Sequence, residues 1–432
     1  MHVVTAAFAL LLRYLTWPEA AALAIAAIAF NTFALSRVAP EIIRETDASG
    51  PRTGILFYPV SVLLLVLTFR HRLDIVAGAW GIMAFGDGFA TLAGTTTNGA
   101  RLPWNPQKSW NGLIAFIAAG SVGALALMLW VAPAISPMPP RAFLLIAPIV
   151  AAVVAGLVET IPIRLDDNLS VPAAAGGVLW LIGQIDQAAP AWLDVLGGVI
   201  VSLPVALLAW RLDAVTRGGA AAGFICAVLV YLGSFLAGLA VLGVALILTI
   251  AASWVGRARK AALGIAEERQ EQRGAGNILA NCGVGAVASL LAALSSEWSG
   301  EAGALMLVTA IAAGASDTVS SEIGKAYGGQ PRAFPSLRAV PPGTPGAISI
   351  VGTLSGVAAA ALIAWPAFVL WLLPSDRLPL IVAACTLGSL IESTLATNFE
   401  PAGILDNNTL NFLNTALAAA AAVWWGYLIR PV

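Results

Sequence analysis

Two sets of ionisable residues recur about 230 residues apart in a chain that is otherwise apolar. The first runs Gly86-Asp87-Gly88, then Lys108-Ser109, then Glu159, then Asp166-Asp167-Asn168; the second runs Ser316-Asp317-Thr318, then Arg338, then Glu392, then Asp406-Asn407-Asn408. From Asp87 to Lys108 and from Asp317 to Arg338 the spacing is the same, 21 residues. Ionised side chains in a membrane helix cost roughly 2.5–3.5 kcal/mol each on insertion scales, so they persist where pairing or function holds them. Two matched acid–base–acid sets therefore imply two related sites.

The chemistry such sets can do is phosphate chemistry. Asp87 can hold Mg²⁺ (or Mn²⁺) through oxygen, and the flanking Gly86 and Gly88 let a backbone approach phosphate closely; an ordinary turn is the plainer use of the same residues. Arg101, Asn105, Lys108 and Ser109 then put two cations and two hydrogen-bonding groups at the start of the next apolar run, where a helix N-terminus favours anions. Glu159, Asp166 and Asp167 crowd three carboxylates into nine residues. They need a cation, met either by a metal bridging to substrate phosphates or by Arg164 together with a helix cap. In the second set Asp317, Ser321 and Glu322 share a helical face and Lys325 follows. Arg338 stands at the step of Lys108, and Glu392, Glu400 and Asp406 supply the later acids. The basic stretch from Arg257 through Lys260 to Arg273 reads as a solvated loop or as a phosphate trap.

The elements that position these residues are membrane helices. With 59% hydrophobic residues, 10% charged and a mean hydropathy of +0.87, the chain is no ordinary soluble domain. Apolar runs about 20 residues long, enough for a core about 30 Å thick, recur throughout. They count to about fourteen spans and predict an all-α polytopic membrane protein. A short connection near Ala188–Asp194 divides it into halves 1–190 and 191–432. The net charge of −1 argues against a nucleic-acid partner. Two histidines leave no His-ligated zinc or copper site, and Cys226, Cys282 and Cys385 read as small buried hydrophobes. The N-terminus lacks a basic, cleavable leader. Most cations, Lys108, Arg164, Lys260, Arg273, Lys325 and Arg338 among them, fall on one side of the spans, while Arg70, Arg72, Arg141 and Arg377 fall on the other. The positive-inside rule makes the crowded side cytoplasmic, in a bacterial inner membrane, with both sites opening there. Asp87 on the third span and Asp317 on the eleventh predict halves in parallel orientation. Inverted repeats of a secondary transporter would set the two on opposite sides.

The first half resembles the phytol kinases, a group that includes dolichol kinases and, more distantly, CDP-diacylglycerol synthases. The resemblance rests on Tyr58-Pro59-Val60-Ser61, Gly86-Asp87-Gly88-x-Ala90-x-x-x-Gly94, Trp104-Asn105-Pro106-x-Lys108-Ser109-x-x-Gly112 and Glu159-x-x-Pro162 to Asp166-Asp167-Asn168-Leu169. The second half resembles the membrane family that contains the plant phytyl-phosphate kinases. Its carriers are Leu279-Ala280-Asn281-x-Gly283-Val284-Gly285, Asp317-Thr318-x-x-Ser321-Glu322-Ile323-Gly324, Val340-Pro341-Pro342-Gly343-Thr344-x-Gly346 and Leu405-Asp406-Asn407-Asn408-x-x-Asn411.

What the resemblance implies is sequential phosphorylation of a long-chain isoprenoid alcohol, such as phytol, to its monophosphate and then its diphosphate, with CTP or another nucleoside triphosphate as donor and Mg²⁺ as cofactor. Asp87, Asp166 and Asp167 would handle metal in the first half, with Lys108, Ser109, Arg101, Asn105, Asn168, Gly86 and Gly88 on phosphates and Glu159 as base or second metal ligand. In the second half Asp317, Glu322 and Asp406 would handle metal, beside Glu392, with Arg338, Lys325, Ser321, Asn407 and Asn408 on phosphates. A cytidylyltransferase making a CDP-lipid is the neighbouring alternative, and a secondary transporter the more distant one.

Overall fold

Backbone polar groups in lipid must satisfy one another, so apolar runs of this length become helices. The computed structural model describes residues 5–34, 53–97, 99–102, 105–160, 166–186, 190–262 and 273–429. Arg37, Arg44, Arg52, Trp104, Pro162, Arg164 and Arg269 lie outside them. The fold is all-α apart from two small sheets of short strands, and among the described residues ten helices, one of them the continuous stretch Leu73–Thr96, are long and apolar enough to cross a membrane. The chain divides into two compact units, Met1–Gln184 and Ile185–Val432.

The first unit comprises α1 (Trp17–Ala29), α2 (Thr53–Thr68), α3 (Leu73–Gly81), α4 (Asp87–Thr96), α5 (Trp110–Val131), α6 (Arg141–Thr160) and α7 (Asp167–Gly183). A single π turn, Ile82–Gly86, joins α3 to α4 and ends against Asp87. Turns of this kind concentrate at functional positions because they re-aim the following side chains. A 3₁₀ segment, Ala6–Arg13, packs onto α3 and α5. Pro59 in α2 cannot donate to the carbonyl of Ile55; Asn31 Nδ2 does so instead, at 3.0 Å. The ring of Phe116 on α5 fits between two glycines. A Cβ on Gly86 would meet it at 2.9 Å, and one on Gly156 of α6 at 3.0 Å. Since Gly86 precedes Asp87 and Gly156 lies one turn before Glu159, this ring fixes how far apart the two acid-bearing helices stand.

The second unit comprises α8 (Trp192–Arg211), α9 (Arg217–Trp254), the short α10 (Arg257–Ala262), α11 (Ala275–Leu294), α12 (Glu301–Tyr327), α13 (Ile350–Val369), α14 (Leu378–Phe399) and α15 (Asn407–Ile429). Helix α9 breaks at Phe235 (φ 48°, ψ −138°). Its two arms fold back on each other: Arg273, bridged to Val215 before the first arm, also reaches Thr249 and Ser253 on the second. Helix α12 is the axis, packed against α9, α11, α13, α14 and α15. Its membrane portion is almost entirely buried and rich in Ala and Gly, which let neighbouring backbones approach closely. Polar side chains add cross-links, Thr415 Oγ1 donating to Ala280 O at 3.1 Å.

An arginine ties the first turn of the Asp-bearing element in each unit. Arg72 forks onto the fully buried Asp74 at 2.8 and 2.9 Å, and Arg377 pairs with Glu301.

Close backbone approach makes glycines differ sharply in what they tolerate. A Cβ on Gly233 of α9 would lie 1.8 Å from the Ser289 carbonyl oxygen, whereas one on Gly243 meets nothing within 4 Å. Gly233→Ala is therefore expected to destabilise the protein by about 1–3 kcal/mol or more, read as a lowered Tm in detergent. Gly243→Ala should leave Tm unchanged or slightly raised.

Candidate active site

In the first unit a hairpin carries the key cation. Strands β1 (Arg101–Leu102) and β2 (Asn105–Ser109) pair antiparallel between α4 and α5. Buried Asn105 fastens the hairpin: its Nδ2 donates to Thr160 O at 3.1 Å, and its Oδ1 accepts from Gln107 N at 3.1 Å. That anchor sets Lys108 beside the end of α6. Lys108 Nζ donates to Glu159 Oε1 at 2.6 Å and to Asp167 Oδ2 at 3.3 Å. Asp87 lies within electrostatic reach of both acids. Burial alone would lower the Lys108 pKa, but Glu159 and then Asp167 outweigh it and hold it above the ordinary lysine value. Lys108 is thus a permanent positive charge among three carboxylates.

Other expected members of this set serve the scaffold. Ser109 caps α5, its Oγ accepting from Gly112 N at 3.2 Å, and Asp166 caps α7, its Oδ1 accepting from Asn168 N and Nδ2, both at 2.9 Å. Arg101 is exposed and donates within its own hairpin, to Gln107 O at 3.3 Å. Gly86 is filled over by Phe116, so its lack of a side chain serves packing, while Gly88 is half-buried in the first turn of α4.

In the second unit Asp317, Ser321, Lys325, Glu392, Glu400 and Asn407 line a polar cavity of about 230 Å³ between α12, α13 and α14. Ser389 Oγ donates to Asp317 Oδ1 at 3.1 Å. Lys325 acts on both Asp317 and Glu400, and Glu392 feels both of those acids. Glu400, beyond the end of α14, is raised above the ordinary carboxylate range by burial and by Asp406, with Lys325 partly offsetting this. The loop Pro342–Gly346 forms one wall. Gly346 (φ 69°) seats it on α14, where a Cβ would collide with Ser393 O and Thr397 Oγ1 at 2.2 Å.

The second unit departs from the sequence expectation at four residues. Glu322 is ion-paired with the buried Lys260 and lies 3.8 Å from Lys325, outside the cavity lining. Asp406 caps α15, its Oδ1 accepting from Thr409 N at 2.8 Å and Thr409 Oγ1 at 2.6 Å. Asn408 lies against Gly276 at the start of α11. Arg338 is exposed on β4 (Arg338–Ala339) and does not stand where Lys108 stands.

The last point follows from the strands. Three of them, β3 (Arg332–Ala333), β4 and β5 (Ala347–Ile348), separate α12 from α13, and β5 leads into the helix as β2 does. Ser349 caps α13 by accepting from Gly352 N at 3.1 Å, the counterpart of Ser109 and Gly112. A Cβ on Gly112 would meet Ser109 Oγ, Ala90 O and Gly94 Cα; one on Gly352 would meet Ser349 Oγ, Ser320 O and Gly324 Cα. By this register the counterpart of Lys108 is Ile348. Likewise the residue after the capping aspartate is Asp167 in one unit and Asn407 in the other. Each unit nonetheless gathers three carboxylates and a lysine: Asp87, Glu159 and Asp167 with Lys108, and Asp317, Glu392 and Glu400 in one cavity with Lys325, which acts on Asp317 and Glu400.

Ser389 is the contributor that sequence reasoning left unassigned, and Lys260, expected in a solvated loop or phosphate trap, is instead buried against Glu322. Ser389 was within reach, one helical turn before Glu392. The Lys260–Glu322 pair joins residues 62 apart and has no local signal.

The family model described as integral membrane protein DUF92 matches residues 200–419. Protein VTE6, chloroplastic, of Arabidopsis thaliana is 30% identical over 273 residues, covering 60% of this chain and 80% of its own length. Phytol kinase 1 of Arabidopsis thaliana is 30% identical over 141 residues, 32% of this chain and 46% of the kinase, and a probable phytol kinase of Zea mays is 33% identical over 145 residues, 33% and 47%. The chain thus spans about half the length of the phytol kinases it matches. No solved structure matches. The DUF92 match across half the chain, with VTE6 matched over most of its length, shows that the chain belongs to the DUF92 family of integral membrane proteins.

Proposed function

We propose that the chain is a membrane prenol kinase acting in two steps. The first unit transfers the γ-phosphoryl group of a nucleoside triphosphate, CTP by resemblance, to the hydroxyl of a long-chain isoprenoid alcohol; the second transfers another to the resulting monophosphate. In each step a bond forms between the acceptor oxygen and Pγ, the Pγ–O bond to the β-phosphate breaks, and the nucleoside diphosphate leaves. The observation that carries this reading is a cluster of three carboxylates and a lysine at the end of an apolar bundle, found once in each unit. Similarity to proteins named phytol kinase supports the substrate class.

Among the described residues no three His, Cys, Asp or Glu side chains converge as a metal cage. Mg²⁺ in kinases asks for less, one or two carboxylates with waters and substrate phosphates, and Asp87 with Asp167, or Asp317 with Glu392, fits that need. Bound there, Mg²⁺ would spread the charge of the transferring phosphoryl group. Lys108 and Lys325 hold phosphate oxygens as fixed charges. An alcohol must lose its proton on attack, and in this reading Glu159 takes it or serves as a second metal ligand. A phosphate monoester, with a second pKa near 6, is already an anion. The replacement of Asp167 by Asn407 suits that second acceptor. We place both sites on the cytoplasmic side of a bacterial inner membrane, where nucleotide is available.

Asp87→Asn is expected to abolish monophosphate formation while added prenyl monophosphate is still converted; Asp317→Asn should accumulate monophosphate. Thin-layer or mass analysis of products from purified protein, CTP and Mg²⁺ reads both steps. Loss of both steps in either variant, with folded protein intact, refutes separate sites, and release of pyrophosphate in place of the nucleoside diphosphate points to cytidylyl transfer.

Lys108→Ala should lower kcat of the first step about a hundredfold, and Lys325→Ala should do the same to the second, the scale of losing an electrostatic stabiliser. Arg338→Ala, on its exposed strand, should keep near-normal kinetics.

Because the folded state raises the Glu400 pKa, it disfavours the carboxylate. Glu400→Gln should therefore raise Tm near neutral pH. That gain should vanish below the ordinary glutamate range, where the wild-type group is protonated in both states. Thermal scans at pH values on both sides of that range check the sign.

A further inference from the structure

Besides its polar cavity, the second unit holds a larger apolar one of about 380 Å³, walled by α8, both arms of α9, α11 and α12. Along the second arm of α9 its lining runs from Leu236 to Thr249, which at 1.5 Å per residue makes it about 20 Å long. A cavity of that volume and length admits one hydrocarbon chain, and it outreaches a single leaflet, half of a core about 30 Å thick. Room is left by glycines that packing does not require: a Cβ on Gly243 would meet nothing within 4 Å, and one on Gly223 only Ile278, at 3.9 Å.

Besides Ser202 on α8, the polar residues of the lining include Arg273, Asn277 and Asn281, which follow one another into the start of α11, with Thr249 beside Arg273. The Arg273 backbone is pinned there, its N–H donating to Ala214 O at 3.3 Å and its carbonyl accepting from Thr216 N at 3.1 Å. Its guanidinium reaches across the mouth to Thr249 O and Ser253 Oγ, each at 3.4 Å. A forked cation at one end of an elongated apolar cavity complements a single-chain lipid with a phosphate head. Helix α12 turns different faces to the two cavities, Gly314, Ala315 and Thr318 to the apolar one and Asp317, Ser321 and Lys325 to the polar one.

We infer that this apolar cavity is a holding site for an isoprenoid phosphate, its chain along α9 and its phosphate at Arg273. The isoprenoid identity of the chain rests on the proposed kinase reading. The site retains the phosphorylated lipid inside the protein, beside the place of reaction and separate from it.

The test uses the full chain in nanodiscs without nucleotide, irradiated with phytyl monophosphate bearing a diazirine at the end of its chain. The expected label falls between Leu236 and Leu246. Gly243→Leu, which has open space to enter, should cut labelling about tenfold, and Arg273→Gln should do so for the phosphate probe but not for the matching alcohol probe. Label spread over lipid-facing helices, equal competition by a two-chain phosphatidic acid, or an Arg273→Gln effect identical for both probes would overturn the assignment. Labelling needs no phosphoryl transfer. A protein that labels but phosphorylates nothing therefore refutes the kinase reading alone, and one that phosphorylates without labelling refutes the holding site alone.

Discussion

A carboxylate carried at the end of a membrane helix needs a positive charge near it, and each unit is arranged around that requirement. Lys108 joins a strand, the end of α6 and the start of α7 through one ammonium group, and Asn105 holds the strand where the ammonium can reach. In the second unit the lysine comes instead from the far end of the Asp-bearing helix, with the third acid beyond the end of α14. Both arrangements leave more acid than base. That surplus is what the proposed reaction uses, since a divalent cation delivered with nucleotide phosphates would settle it.

Small residues let these charges converge. With Gly86 and Gly156 clasping Phe116, the helices bearing Asp87 and Glu159 keep a fixed separation. Around α12, alanines and glycines allow five neighbours to pack on one helix, so its polar end is held from several sides. At the opposite end of the second unit Arg377 pairs with Glu301 and opposes sliding of α12 past α14, while the local pair of Arg72 with Asp74 closes the first turn of α3.

The helices were legible in the sequence because lipid demands long apolar runs, and even the folded-back arms of α9 appear as two separate runs around Phe235. The acids were legible because ionised residues stand out against such a background. Their division of labour was not. An aspartate that caps a helix and one that faces a substrate look alike in one dimension, so Asp166, Asp406 and Ser109 appeared as ligands although each holds an N-terminus. The equal 21-residue spacing that pointed to Arg338 fails because an additional strand lengthens the second loop and shifts the Lys108 step to Ile348. Glu322 was read as a metal ligand because its partner Lys260 lies far off in sequence.

The exchange of Lys108 and Asp167 for Ile348 and Asn407 sets limits on how such sites can diverge. Lys108 touches both Glu159 and Asp167, so its loss alone strips two acids of their cation, whereas loss of Asp167 alone leaves Lys108 paired with Glu159. Conversion to the second arrangement therefore also needs a lysine from elsewhere for the remaining acids, as Lys325 provides in the second unit. A chain with lysine before the capping serine and aspartate after the capping aspartate keeps the first arrangement; one with an aliphatic residue and asparagine there has crossed to the second. Read together, these two positions form a compact signature by which unclassified relatives can be sorted between the two arrangements before any activity is measured.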